Sequence, residues 1–146
     1  MAEGMILREP PYTRAVLRLA ASIPYLVPFE ELDGATEMRS KTCGSRMRMA
    51  LELDWADRIV RLRQWVEACA YGQATAALVG GHAIGRSADE VRIALTEVEA
   101  WLSGNCDIPA AWPGLEALSP ALPRKGRHGA ILLPFQTLLA AIEEAR

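Results

Sequence analysis

The chain has 146 residues, about half of them apolar and about a quarter charged, enough for one domain with a real core and too few for two ordinary ones, so residues 1–146 read as a single domain. A net charge of −2 with no basic stripe argues against a nucleic-acid partner. Three cysteines exclude a fully paired disulfide framework and favour reduced thiols in a cytoplasmic protein.

Met1 to Met5 shows no basic region followed by a long apolar run, so no signal peptide is expected. The most apolar stretch, Ala74 to Ile84, is too short to span a bilayer, and no membrane partner is expected. Tyr12 to Ser22 predicts a short amphipathic helix with Val16, Leu17, Leu19 and Ala20 on one side and Arg14 and Arg18 on another. Pro24 and Pro28 end it and lead through a loop to Gly34. Arg46 to Asp54 alternates, with Met47, Met49, Leu51 and Leu53 pointing one way and Arg46, Arg48 and Glu52 the other, which predicts a half-buried strand. Asp57-Arg58 makes a turn. Ile59 to Val66 is the return strand of a hairpin, its Ile59, Leu62 and Trp65 imperfectly phased, and Glu37 to Lys41 is available as a third strand.

The second half reads as helical. Ala70 to Ile84 is small and apolar nearly all round, as expected of a helix buried against the sheet and ended by Gly85. Ser87-Ala88-Asp89-Glu90 is a capping box opening a helix that runs to about Leu102, with Val91, Ile93, Ala94, Val98 and Leu102 on its apolar side and Gly104 as its stop. Asn105 to Arg127 holds four prolines and no sustained period, so a long loop with one helical turn near Leu115 to Leu118 is expected, of the kind that is often functional or mobile. Ala130 to Ala145 is the closing helix, with Pro134 tolerated in its first turn. There is no internal repeat.

Two cysteines carry the chemistry. Cys43 sits in Lys41-Thr42-Cys43-Gly44-Ser45, just before a strand, and Cys69 opens the helix of small residues. A helix N-terminus favours the thiolate, the form that binds metal or accepts sulfur. Two cysteines without a second pair also suit buried small apolar residues, since structural zinc normally shows four ligands at tight spacings. Basic residues Lys41, Arg46, Arg48, Lys125 and Arg127 either line the rim near the thiols or are scattered solvated charges. Trp55, Trp65, Trp101 and Trp112 read as core or loop anchors.

From Gly34 to Gly104 and from Arg127 to Ile142 the chain resembles the U-type iron–sulfur cluster assembly scaffolds, the IscU, SufU and NifU N-terminal family. Cys43-Gly44-Ser45 matches that family's Cys-Gly-Asp turn. Cys69-Ala70 followed by Ala74 to Ala77 matches its second cysteine. Ile84-Gly85-Arg86-Ser87 looks like its Lys-Gly-Lys-Ser/Thr turn, and Leu133-Pro134-Phe135 looks like the third-cysteine helix of the SufU branch, as does the long preceding loop. The resemblance implies an α+β fold, a small, largely antiparallel three-stranded sheet covered by helices on one face. It implies Cys43 and Cys69 as thiolate ligands to iron, a transient iron–sulfur cluster or zinc, and a cysteine desulfurase and other assembly proteins as partners.

The departures are specific. Ser45 stands at the family's aspartate and Ala130 at its third cysteine, and neither is a ligand-grade side chain. His128, two residues before Ala130, is the substitute metal ligand in this sequence, or else a solvent-exposed histidine among Arg124, Lys125 and Arg127. His82 reads as a helix-surface residue. Cys106, beside Asp107 in a polar loop, reads as an incidental exposed thiol. A homodimer, solvent, His128 or Cys106 would complete the ligand set. The functions in play are a divergent scaffold that is not itself an enzyme, an adaptor that keeps the fold without metal, and a small thiol enzyme, for which no general base lies near either cysteine in sequence.

Overall fold

Alternation at Arg46–Leu53 produces the central strand of a three-stranded antiparallel sheet. The computed structural model describes residues 12–41 and 44–146. Helix α1 (Arg14–Ala20) is followed by a 3-10 turn (Phe29–Leu32), β1 (Thr36–Arg39), β2 (Arg46–Leu53) and β3 (Ile59–Glu67). Then come α2 (Ala70–His82), α3 (Ala88–Leu102), 3-10 turns at Leu115–Ala121 and Lys125–Arg127, and α4 (His128–Ala145). The sheet order is β1-β2-β3. Met47, Met49, Ile59 and Leu62 are buried on the face that α2 and α4 cover. The opposite face carries Arg48 against Trp65 and Glu52 against Arg61.

The imperfect phase of β3 has a structural cause. The pairing passes from Glu52–Arg61 to Leu53–Ile59, so Val60 has no partner. This bulge puts Ile59 and Leu62, three residues apart, on the same buried face. The hairpin tip is held by Asp54, whose Oδ1 accepts from the Ala56 and Arg58 amides at 2.8 and 3.0 Å. It presents Trp55 almost wholly to solvent, at 97% exposure, so Trp55 is not a core or loop anchor.

Helix α2 is buried almost throughout, as expected. Its approach to β3 depends on Gln64, a fully buried polar residue whose Nε2 donates to the carbonyls of Pro24 (2.9 Å) and Ala76 (3.2 Å). That amide fits because Gly80 has no side chain; a Cβ there would meet Gln64 Nε2 at 2.5 Å. The same residue seats the α1–β1 loop, since Gln64 exchanges backbone hydrogen bonds with Tyr25 and Val27.

The capping box of α3 forms as expected, with Ser87 and Glu90 bonding reciprocally. Two apolar residues depart from expectation: Leu17 of α1 and Ile93 of α3 are half exposed, at 50% and 55%. Helix α4 begins two residues earlier than predicted, so Pro134 falls in its second turn. β1 begins and ends slightly earlier than the predicted third strand.

The segment 105–127 packs as a cap on the core. Trp112, Leu115, Leu118 and Ala121 are buried in the core. The Trp112 indole donates to the Leu78 carbonyl of α2 at 2.9 Å, its ring meets Phe135 edge-on, and the Arg86 guanidinium lies 4.5 Å above it. Truncating Trp112 to Ala should therefore cost about 3–5 kcal/mol, and Trp112→Phe, which loses the indole donor, about 1 kcal/mol. Denaturant unfolding monitored by circular dichroism checks both, and a Trp112→Ala midpoint equal to the parent's contradicts the anchoring role.

Candidate functional site at the end of the sheet

The β1–β2 connection closes when the Ser40 amide donates to the Ser45 carbonyl at 2.8 Å. Gly44 takes a left-handed conformation, φ +73°, that a side chain would strain. Cys43, with Thr42, lies outside the described residues. At the same end of the sheet β3 stops at Glu67, and two residues later Cys69 stands as the N-cap of α2. Its extended backbone (φ −66°, ψ 172°) turns the chain into the helix, and its side chain makes no capping hydrogen bond. Gly44, Ser45, Glu67, Ala68 and Cys69 line one open recess of about 220 Å³. The residue that follows Cys43 and the Cys69 thiol are thus brought to the same place from opposite ends of the hairpin.

The start of α4 closes the arrangement from below. Ala130 is fully buried, and a Cβ on Gly72 would lie 3.3 Å from both the Ala130 Cβ and its carbonyl oxygen. Pro134 cannot donate back to that carbonyl, as a residue four further along a helix normally does. Position 130 therefore abuts the first turn of the helix that Cys69 caps, and Ala130 brings no donor atom to it. A further recess of about 390 Å³, lined by Met38, Arg39, Ser40, Lys41, Gly129 and Gln136, separates the β1–β2 turn from α4.

His128 is tied into the cap. Its Nε2 lies 2.9 and 3.1 Å from the carbonyl oxygens of Ala121 and Leu122, which can only accept, so Nε2 carries the proton and Nδ1 alone is left for a metal. Cys106 is exposed, with its Sγ toward the Glu97 carbonyl at 3.7 Å, and it lines different recesses from Cys69. His82 is on the surface. Among the described residues no three His, Cys, Asp or Glu side chains come together in a way that would hold a metal ion.

Most of the basic residues are committed. Arg46 lies 5.1 and 5.0 Å over the rings of Phe29 and Trp65 and pairs with Glu67 at 3.5 Å. Arg48 stacks on Phe29 at 3.9 Å and pairs with Glu37 at 2.7 Å. Arg127 sits over Tyr12, which in turn meets the buried Tyr71 edge-on. The hydrogen bond from Arg48 holds the Glu37 carboxyl below the usual carboxylate range, against the opposing effect of its burial and with help from Arg39. At the far end of the sheet Arg58 does the same for Glu90.

Sequence reasoning missed Gln73. Its Nε2 donates to the Ala68 carbonyl at 2.9 Å, and its backbone amide donates to the Cys69 carbonyl at 3.0 Å. The only sign in the sequence is a long amide in a helix otherwise built largely of alanine, glycine, leucine and valine.

The family model for the NifU-like N terminal domain matches residues 14–124. The fold is similar to that of a nitrogen-fixing NifU-like protein (N-terminal) from Brucella abortus, with a TM-score of 0.80, 26% identity and 91% of this chain and 92% of the other covered. It is also similar to that of a proposed iron–sulfur cluster assembly scaffold protein for the SUF system from the thermophilic Fervidobacterium islandicum AW-1, with a TM-score of 0.74, 20% identity and 90% and 96% covered. No curated protein matches the sequence.

Two outcomes follow from this geometry. Gly72→Ala would put a Cβ 2.6 Å from the Ala68 Cβ and force α2 away from Ala130, so a loss of about 1–3 kcal/mol is expected in denaturant unfolding. Because the folded-state pKa of Glu37 is depressed, its contribution to stability is present above the unfolded value and is lost as pH falls through the folded one. Glu37→Gln should thus destabilise at neutral pH and converge with the parent in acid, as read from melting temperature against pH.

Proposed function

The chain belongs to the NifU-like N terminal domain family, and on that footing we propose that it is a divergent iron–sulfur cluster assembly scaffold. It accepts iron and sulfur as cargo, works with a cysteine desulfurase and other assembly proteins in the cytoplasm, and turns over no substrate itself. The observation that carries this reading is the shared recess at the sheet end, where Cys69 caps α2 beside Gly44, the residue after Cys43.

The chemistry of the donor set fits. Thiolates are soft ligands suited to iron–sulfur species and zinc. Cys69 has no capping bond within the protein, so its sulfur is not engaged by the first turn of α2 and a half-buried thiol faces an open recess. When iron and sulfide or zinc are bound, Cys43 and Cys69 supply two thiolates. The remaining positions fall to His128 through Nδ1, to solvent, to Cys106 or to a second copy of the chain, because Ala130 provides no donor and Ser45 only a neutral hydroxyl.

That deficit supports a second reading, an adaptor of cluster assembly that keeps the surface and binds no metal. Metal and acid-labile sulfide analysis of anaerobically purified protein separates the two. The scaffold reading expects stoichiometric metal in the parent and background levels in Cys43→Ser and in Cys69→Ser. Metal retained in both variants overturns ligation by these thiols. A parent that stays empty after reconstitution with iron and sulfide selects the adaptor.

A further inference from the structure

Gln73 lies one turn into α2, half-buried, on the helix that Cys69 caps. Thr75, two residues on, makes the ordinary bond of a helical hydroxyl to the carbonyl four residues back, that of Tyr71. Gln73 behaves differently. Its side chain reaches back past the helix start to the Ala68 carbonyl at 2.9 Å, beside the ordinary first-turn backbone bond from its amide to the Cys69 carbonyl at 3.0 Å.

These two carbonyls belong to the two peptide groups that flank Cys69. A peptide group is a rigid plane, so rotating the Ala68 carbonyl changes φ of Cys69 and rotating the Cys69 carbonyl changes its ψ. The first-turn backbone bond restrains ψ of the cysteine, and the Gln73 side chain adds the restraint on the peptide plane before it, so that both angles, −66° and 172°, are held, and with them the direction of the Cα–Cβ bond. Gly72 makes the clamp possible: a Cβ there would meet the Ala68 Cβ at 2.6 Å, so only glycine lets Ala68 tuck back within reach of the Gln73 amide. We propose that Gln73 is a positioning residue for the Cys69 thiol, its side chain fixing the peptide plane that precedes the cysteine while the helix backbone holds the one that follows.

The consequence for metal rests on the proposed ligation by Cys69; the conformational claim does not. A ligand already held in one backbone conformation loses less freedom on binding, so a preformed Cys69 binds more tightly than a loose one. Supporting groups of this kind change metal affinity by about 10–100-fold.

Gln73→Met keeps the length of the side chain and removes the donor; Gln73→Lys restores a donor. Both are compared with the parent, as the full chain, in two measurements. Cobalt(II) titration reads the thiolate-to-cobalt absorption. Alkylation of Cys69 in metal-free protein at pH 7, resolved by mass spectrometry, reads the thiol alone. Gln73→Met should weaken cobalt binding about tenfold and slow alkylation about two- to fivefold as Cys69 loses its fixed presentation to the recess, with Gln73→Lys recovering most of both. Values for Gln73→Met equal to the parent's overturn the proposal, and so does an equal loss in both variants, which would assign the effect to packing. If the parent shows no thiolate-to-cobalt absorption, the ligation reading fails and alkylation decides Gln73 alone: slowed in Met and recovered in Lys supports the positioning role, unchanged in Met overturns it.

Discussion

Position 72 carries no side chain, and the geometry of the sheet end follows from that. The first turn of α2 lies directly on the start of α4, close enough that a single Cβ on Gly72 would touch Ala130 and collide with Ala68. Two helices rarely come this near without a small residue at the crossing, because ordinary side chains hold their axes 8–10 Å apart. Here the contact draws three pieces of chain together: the end of β3, the cap of α2 and the buried start of α4. Cys69 is placed by this packing rather than by a capping bond of its own sulfur.

The parts of the fold legible in the sequence are those set by local period and local hydrogen bonding. Alternation in Arg46–Leu53 identified the central strand and its buried face, and Ser87 and Glu90 marked the start of α3, because both signals are complete within a few residues. What was not legible depends on partners distant in sequence. Val60 bulges because Glu52 and Leu53 take their partners on either side of it, and the broken phase of Ile59, Leu62 and Trp65 marks an irregular strand without saying where it bulges. Leu17 and Ile93 fit the apolar stripe of their helices yet face solvent, since the stripe says which residues can be buried and not how much of the helix is covered. The segment 105–127 shows no period because its order comes from single anchors, Trp112 on Leu78 and His128 on Ala121 and Leu122, and such contacts leave no repeat to read.

The candidate site divides in the same way. Cys69 is legible as a candidate because a cysteine opening a run of small residues is a local signal, and because the family resemblance gives it a counterpart. Gln73 left almost no trace, since a glutamine on a helix ordinarily reads as a solvated side chain; only the backward reach to Ala68 distinguishes it. In the sequence the arginines near the sheet end read either as lining the rim or as scattered solvated charges. Arg46 instead lies against two aromatic rings and Glu67, and Arg48 against Phe29 and Glu37. Their charge is spent stiffening the outer face of the sheet, and short-range pairing of this kind leaves little field at a distance.

Geometry and donor count have therefore separated in this chain. The frame that presents a thiol at the sheet end is built: a glycine that permits the helix crossing, a buried alanine that fills it, and a glutamine whose side chain holds the peptide plane before Cys69. The donors are not, since Ala130 has no ligating atom, Ser45 is a buried neutral hydroxyl and His128 has one nitrogen already committed. A tetrahedral metal centre needs four donors, whereas the packing that fixes Cys69 needs none. Packing alone accounts for the frame, because Gly72, Ala130 and the buried face of α2 contribute to stability whether or not cargo is bound. The frame can thus stand without a full set of ligands, and under the proposed function the donors that complete the recess are His128 Nδ1, Cys106, solvent or a second copy of the chain.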